Sequence, residues 1–115
     1  MIKRLKPGKR LSMATIHGGL VYLAGQVPDD LSGGIEAQAK DVLAKIDALL
    51  HEAGTGKSSI LNVTVWLPNI ADFADFNKVW DAWVPEGASP ARACVESRLA
   101  NPSIRVEIAA IAAIP

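Results

Sequence analysis

The spacing of apolar positions along this chain changes several times, and each change predicts a new element. The segment "MATIHGGLVYLAGQVP" (13–28) holds two β-prone runs on either side of His17-Gly18-Gly19. Two glycines supply the positive φ angles that a tight hairpin turn needs. We therefore predict an antiparallel hairpin of strands 13–17 and 20–24. A short additional strand near residues 2–5 is compatible with the pattern.

A helical period follows the hairpin. Apolar residues recur every three or four positions from Ile35 to Ala53, with charged residues between them. This spacing predicts a long amphipathic helix, for which Gly54 is the natural end. A second apolar stripe with helical spacing begins after Asn69, and either Asn69 or Asp72 is placed to cap it. The residues of that second stripe are Ile70, Phe73, Phe76, Val79, Trp80 and Trp83.

Between the two helices, "SSILNVTVWLP" (58–68) has the period of two that is typical of a strand. One face of this strand consists of Leu61, Val63, Val65 and Leu67. The other face consists of Ile60, Asn62, Thr64 and Trp66. After the second helix, 84–90 is predicted as a loop, and 91–98 and 104–112 as strands.

The predicted order is β-β-α-β-α-β-β in a single domain, 1–115, of the α+β class. Two helices cannot cover both faces of a five- or six-stranded sheet, so we expect both to lie on one face. We expect the other face to be covered by another subunit, which would bury Ile60 and Trp66, because it is too polar for a core and too apolar for solvent. The residues expected on that face are Asn62, Thr64 and Trp66, with Arg92, Cys94 and Glu96, and with Arg105 and Glu107 where the strand register allows.

Charge and composition narrow the function classes. Twelve basic and twelve acidic residues cancel, so no overall field recruits nucleic acid or an anionic membrane. The segment "KRLKPGKR" (3–10) has five cations in eight residues. It could be an RNA-binding arm, but it lacks aromatic residues for base stacking, and a solvated edge is favoured. We expect a cytoplasmic protein, because the single cysteine allows no internal disulfide and we find neither a secretory signal nor a membrane-spanning run.

Several motifs with known chemistry are incomplete. The segment "AGTGKSS" (53–59) resembles a phosphate-binding loop, but His51 occupies the position of the first required glycine, and a helix precedes the loop instead of following it. It is better explained as a helix end and a turn. His17, His51 and Cys94 lack the spacing of metal ligands, so no metal is expected. No serine lies in a Gly-x-Ser-x-Gly motif, and a packing role is the better default for Cys94.

Arg92 and Glu107 lie within predicted strands, where charged side chains are unusual. One interpretation, slightly favoured by spacing alone, is a cross-strand ion pair. The other is a guanidinium that binds a substrate carboxylate, facing a carboxylate that activates water.

Four segments together resemble the reactive intermediate imine deaminase family, also called RidA or YjgF/YER057c/UK-type proteins. They are "AGQVP" (24–28), "NVTVWLPNIADFADFNKVW" (62–80), "PARACVE" (90–96) and "IRVEIAAIA" (104–112). The resemblance implies a chorismate-mutase-like α+β fold and a homotrimer with its sites in the clefts between subunits. It also implies hydrolysis of 2-enamine and 2-imine intermediates to 2-keto acids and ammonia, without a cofactor.

The resemblance also implies roles for five residues. Arg92 matches the arginine that binds the substrate carboxylate, and Glu107 matches the glutamate that positions water. Cys94 and Gly25 match residues whose backbones line the pocket, and Asn77 matches an asparagine near it.

Three positions depart from the family pattern. Leu11 stands near the position of a pocket tyrosine, Ala24 replaces a serine, and Ala109 replaces an acidic residue. These changes motivate an alternative function, in which the protein is a trimer that binds a small carboxylate without catalysis. Unchanged imine hydrolysis in an Arg92→Ala variant would contradict the enzymatic hypothesis.

Overall fold

The computed structural model describes residues 1–115, which form one six-stranded sheet and two helices. The α+β class is therefore confirmed. The strands are β1 (Lys3–Pro7), β2 (Ser12–His17), β3 (Leu20–Leu23), β4 (Ile60–Leu67), β5 (Ala91–Glu96) and β6 (Glu107–Ala113). The helices are α1 (Ile35–Glu52) and α2 (Phe73–Trp83). The strand expected near residues 2–5 is present as β1, so three strands precede the first helix.

The predicted hairpin is confirmed. Strands β2 and β3 pair antiparallel, with Ile16 opposite Val21 and His17 opposite Leu20. Gly18 and Gly19, at the turn, have φ angles of 60° and 77°. A side chain would be strained at both positions, which explains why the sequence places two glycines there.

Helix α1 buries the stripe that the helical spacing predicts. Its C-terminus is followed by Gly54, whose φ of 88° only glycine adopts readily. A short 3₁₀ turn, Lys57–Ser59, then leads into β4, so "AGTGKSS" is a helix end and a turn as predicted. Neither α1 nor α2 has the length and hydropathy needed to cross a membrane. The buried residues of α1 are Ile35, Gln38, Ala39, Val42, Leu43, Ile46, Leu49 and Leu50.

The strand order across the sheet is β1-β2-β3-β6-β4-β5. Strand β6 enters between β3 and β4 and is antiparallel to both. Strands β4 and β5 are parallel, as expected for two strands joined through a helix. Both helices cover one face, and the buried side chains of that face and of the helices form a single hydrophobic cluster. The other sheet face, which we call the open face, has no covering element.

A β-bulge corrects the predicted faces at the start of β4. The pairing with β6 shifts between Ile60 and Asn62, which leaves Leu61 as an extra residue. As a result Ile60 is buried in the core of the chain and Leu61 is exposed. The prediction placed these two residues the other way round, because strict alternation cannot reveal an inserted residue. Ile60 therefore needs no neighbouring subunit to cover it.

The start of α2 also differs from the prediction. Asn69 caps a 3₁₀ turn, Ile70–Asp72, by accepting a hydrogen bond from the Ala71 N–H at 3.0 Å, and α2 begins at Phe73. The predicted stripe is confirmed for Phe76, Val79 and Trp80, which are buried. Ile70 and Phe73 were expected in the same stripe but are exposed, because they precede the part of α2 that lies on the core.

The last two strands are shorter than predicted. Strand β5 ends at Glu96, and β6 begins at Glu107 instead of 104. Arg105 was expected on a sheet face but lies outside the strand. Its guanidinium pairs with the Asp72 carboxylate at 2.9 Å. This ion pair connects the segment just before β6 to the residue just before α2.

Candidate functional site

Arg92 lies on the helix-covered face of the sheet. In the parallel pair, Arg92 is opposite Val63 and Cys94 is opposite Val65, and both valines are buried beneath the helices. The expectation that Arg92, Cys94 and Glu96 share a face with Trp66 is therefore wrong. Alternation within β5 was predicted correctly, but the register against β4 decides which set of side chains faces the helices.

Aromatic rings of α2 surround the Arg92 guanidinium. Its carbon lies 4.9 Å from the centre of the Trp80 ring and 5.8 Å from the rings of Phe73 and Phe76. Its Nη1 donates a hydrogen bond to Asn77 Oδ1 at 2.9 Å. Ring faces stabilise a cation and hold it in place without neutralising it.

No carboxylate of the chain pairs with Arg92. A guanidinium has five N–H donors in a planar fork, and within the chain only the bond to Asn77 uses one of them. Arg92 is thus a half-buried cation in a fixed position, and most of its N–H donors have no partner within the chain. A cation of this kind suits a planar anionic ligand.

The family resemblance assigned Arg92 and Asn77 to the site, but the three rings were missed because the helical spacing placed them in the core stripe of α2. One signal could have found them. Phe73 and Trp80 lie four positions before and three positions after Asn77, so all three share a helix face.

Cys94 lies two residues further along β5 on the same face, half-buried and packed against the core. Burial raises the pKa of its thiol, and the nearby Arg92 charge only partly opposes that effect. The thiol is therefore protonated near neutral pH. This agrees with the expected packing role and argues against a nucleophilic cysteine.

Glu107 lies on the opposite, open face. It pairs with Trp66 across β4 and β6, and Gly25 lies beside its carboxyl group. A Cβ built on Gly25 would overlap the Glu107 Oε2 and lie only 2.9 Å from Cδ. The glycine is needed here because the carboxyl group occupies the space of a side chain.

Arg92 and Glu107 do not form the cross-strand ion pair that was one of the two interpretations. Strand β4 separates β5 from β6, and the two side chains lie on opposite faces of the sheet. Arg92, Asn77 and Cys94 therefore form one group, and Glu107 and Gly25 form another. A single ligand cannot touch both groups within one chain.

The open face is rich in apolar and small residues. Tyr22 and Val95 expose 42% and 43% of their surface, and Trp66 and Ile111 are half-buried between them. A small cavity of about 240 Å³ opens here beside Ala109. A continuous apolar surface of this kind is typical of a protein interface.

No cluster of three or more histidine, cysteine or acidic side chains could hold a metal ion.

The five basic residues of 3–10 lie on and after the edge strand β1, and all of them are exposed. None of them forms an ion pair.

Comparison with known proteins gives a consistent result. The family model described as "Endoribonuclease L-PSP" matches residues 1–114. A RutC family protein of Haemophilus ducreyi is 46% identical over 114 residues, which cover 99% of this chain and 97% of that protein. The RutC family protein YoaB of Escherichia coli is 42% identical and covers 98% of each chain.

Solved structures agree with the sequence relatives. A member of the YjgF protein family from Neisseria meningitidis superposes with a TM-score of 0.97 and 43% identity, over 100% of this chain and 96% of that chain. YyfA of Yersinia pestis, from the conserved Rid protein family, superposes with a TM-score of 0.86 and 32% identity, over 91% of this chain and 88% of that one.

Proposed function

The chain belongs to the endoribonuclease L-PSP family, which is also the RidA, YjgF or RutC family, and we propose that it hydrolyses 2-imino acids to 2-keto acids and ammonia. The observation that carries this proposal is the Arg92 guanidinium, which has one amide partner and no carboxylate partner within the chain. A cation held among rings favours an external anion, and the α-carboxylate of a 2-imino acid fits a planar fork.

We infer that the complete site forms between two protomers. Arg92 and Glu107 lie on opposite faces of one sheet, so one ligand can contact both only if each comes from a different subunit. The apolar open face around Trp66 and Val95 supports such an assembly. Three protomers are proposed from the family resemblance, which makes the protein a homotrimer with three clefts.

In this proposal the Arg92 group binds the substrate and the Glu107 group activates the water. Arg92 binds and orients the carboxylate, while the Glu107 carboxylate holds a water molecule near the imine carbon. As the water oxygen bonds to that carbon, Glu107 accepts one of its protons and then returns a proton to nitrogen. In the resulting carbinolamine Glu107 accepts the hydroxyl proton and passes a proton to the nitrogen. The carbon–nitrogen bond then breaks, ammonia leaves, and the carbon–oxygen double bond of the keto acid forms. The reaction consumes one water and needs no cofactor.

The test uses an imine generated in situ by an amino-acid oxidase, with the loss of imine followed over time. The wild-type protein should accelerate hydrolysis. Arg92→Ala should lose most of this activity, and Arg92→Lys should recover only part of it, because an ammonium cannot bind a carboxylate in the same bidentate way. Unchanged hydrolysis in Arg92→Ala would remove the proposed role of Arg92.

A second function is supported by the positions that lack the family's polar groups. Ala109 lies on the open face two residues along β6 from Glu107, and Leu11 is exposed and has no hydroxyl. A trimer that binds a small carboxylate without catalysis would share the Arg92 group. Calorimetry with 2-ketobutyrate beside the imine assay separates the two functions, since binding without acceleration would favour this alternative.

A further inference from the structure

Gln26 is one of only two buried polar side chains, with 3% of its surface exposed. Its Nε2 donates to the Ala24 carbonyl at 2.9 Å and lies 3.8 Å from the Met13 sulfur. Its backbone N–H donates to the Ile108 carbonyl at 2.8 Å, and its own carbonyl accepts from the Ile108 N–H at 3.1 Å. Gln26 is thus fixed to β6 beside Glu107.

Within the segment 24–26, one residue has no hydrogen bond. The Ala24 N–H donates to the Met13 carbonyl at 2.9 Å, and the Ala24 carbonyl is occupied by the Gln26 side chain. Every backbone polar group on either side of Gly25 is therefore bonded. The Gly25 N–H and carbonyl make no hydrogen bond within the chain, and Gly25 is exposed.

A free backbone N–H and carbonyl in a fixed segment are ready partners for a ligand, because their positions are set before the ligand arrives. The same segment keeps Gly25 against the Glu107 carboxyl group. The Gln26 amide is the only side chain that bonds the backbone of residues 24–26.

We propose that Gln26 is a positioning residue, which holds the segment 24–26 so that the Gly25 backbone N–H and carbonyl and the Glu107 carboxylate contact the same ligand. The inference rests on the proposed function for the identity of that ligand, a 2-imino acid with its attacking water. Gln26 does not touch the ligand in this proposal. It acts through the Ala24 carbonyl.

The test compares Gln26→Met with the wild-type protein. Methionine keeps the length of the side chain but cannot donate to the Ala24 carbonyl. We expect kcat for imine hydrolysis to fall about tenfold while KM changes by less than about twofold, because carboxylate binding depends on Arg92 in the other group. Gln26→Leu, whose side chain has no donor and carries no charge, provides a second variant if Gln26→Met does not fold.

Gln38→Met is the matched control. Gln38 is the other buried polar side chain, and it bonds the backbone of Gly33, Ser103 and Arg105, but not residues 24–26. Its loss should lower stability and leave kcat close to wild type. Equal losses of kcat in Gln26→Met and Gln38→Met would show a general effect of destabilisation and overturn the positioning role.

A second readout is independent of catalysis. Because the Gly25 N–H has no hydrogen-bond partner within the chain, its NMR order parameter reports how firmly the segment is held. The order parameter should fall in Gln26→Met and should remain unchanged in Gln38→Met. If the wild-type protein does not hydrolyse imines, the proposed function fails while this comparison still tests Gln26. An unchanged Gly25 order parameter in Gln26→Met would overturn the inference whatever the activity.

Discussion

Arg92 and Glu107 show how single residues acquire a role from their surroundings. Three rings and one amide hold the Arg92 guanidinium, and no anion neutralises it. Glu107 has its carboxyl group placed by the absence of a side chain at Gly25. The position of each charged group therefore depends on the residues around it, so substitutions of those residues should also change the rate of imine hydrolysis.

Gly25→Ala tests the placement of the carboxylate. The new methyl group would overlap Glu107 Oε2 and force the carboxyl group to move. Because that group is the end of a flexible side chain, we expect a loss of at most about 1 kcal/mol in the free energy of unfolding, and a loss of imine hydrolysis of at least about tenfold. Kinetics and chemical denaturation measure the two effects.

Gly56→Ala is the control for that variant, because a Cβ at Gly56 meets nothing within 4 Å. Its activity should match the wild type. Full activity in Gly25→Ala would show that the observed position of the Glu107 carboxyl group is not needed for the reaction.

At the scale of elements, α2 carries most of the Arg92 environment. Phe73, Asn77 and Trp80 all project from it, and its position is set at its N-terminal end. There Asn69 caps the preceding turn, and Glu96 of β5 accepts a hydrogen bond from the Ile70 N–H at 3.0 Å. The start of α2 is therefore tied to the strand that bears Arg92.

Asn69→Ala should lower the free energy of unfolding by about 1 kcal/mol, because the Ala71 N–H loses its partner. Asn69→Asp retains an acceptor oxygen and should be close to wild type. Urea denaturation at one fixed protein concentration measures both, since assembly makes stability depend on concentration. Equal losses in the two variants would mean that the cap does not contribute.

At the scale of the whole molecule, the two groups on opposite sheet faces require an assembly if they are to form one site. The open face offers an apolar surface for it, with Tyr22, Trp66 and Val95 among its residues. An assembled protein would also shield this surface from nonspecific association.

Mixing two inactive variants tests the composite site. Arg92→Ala and Glu107→Gln should each lose imine hydrolysis, but trimers reassembled from an equal mixture should regain activity. About a quarter of the clefts would then combine an intact Arg92 with an intact Glu107 from different protomers. Light scattering of each protein checks the trimer. No recovery in mixed trimers would mean that the site lies within one chain.

The sequence by itself determined the elements that depend on neighbours along the chain. The hairpin at Gly18-Gly19, the long helix that ends before Gly54 and the buried residues Phe76, Val79 and Trp80 of the second helix all follow from local periodicity and from glycine geometry. The family also follows from the sequence, because its motifs occur in order along nearly the whole chain.

Only the tertiary structure decided which residues meet. The bulge at Leu61, the insertion of β6 between β3 and β4, and the face on which Arg92 lies all depend on the pairing of strands that are distant in sequence. A period of two shows that side chains alternate, but a shift of one residue in register exchanges the faces without changing that period. For this reason the sequence indicated Arg92 and Glu107 as candidates, and only the register separated them onto opposite faces.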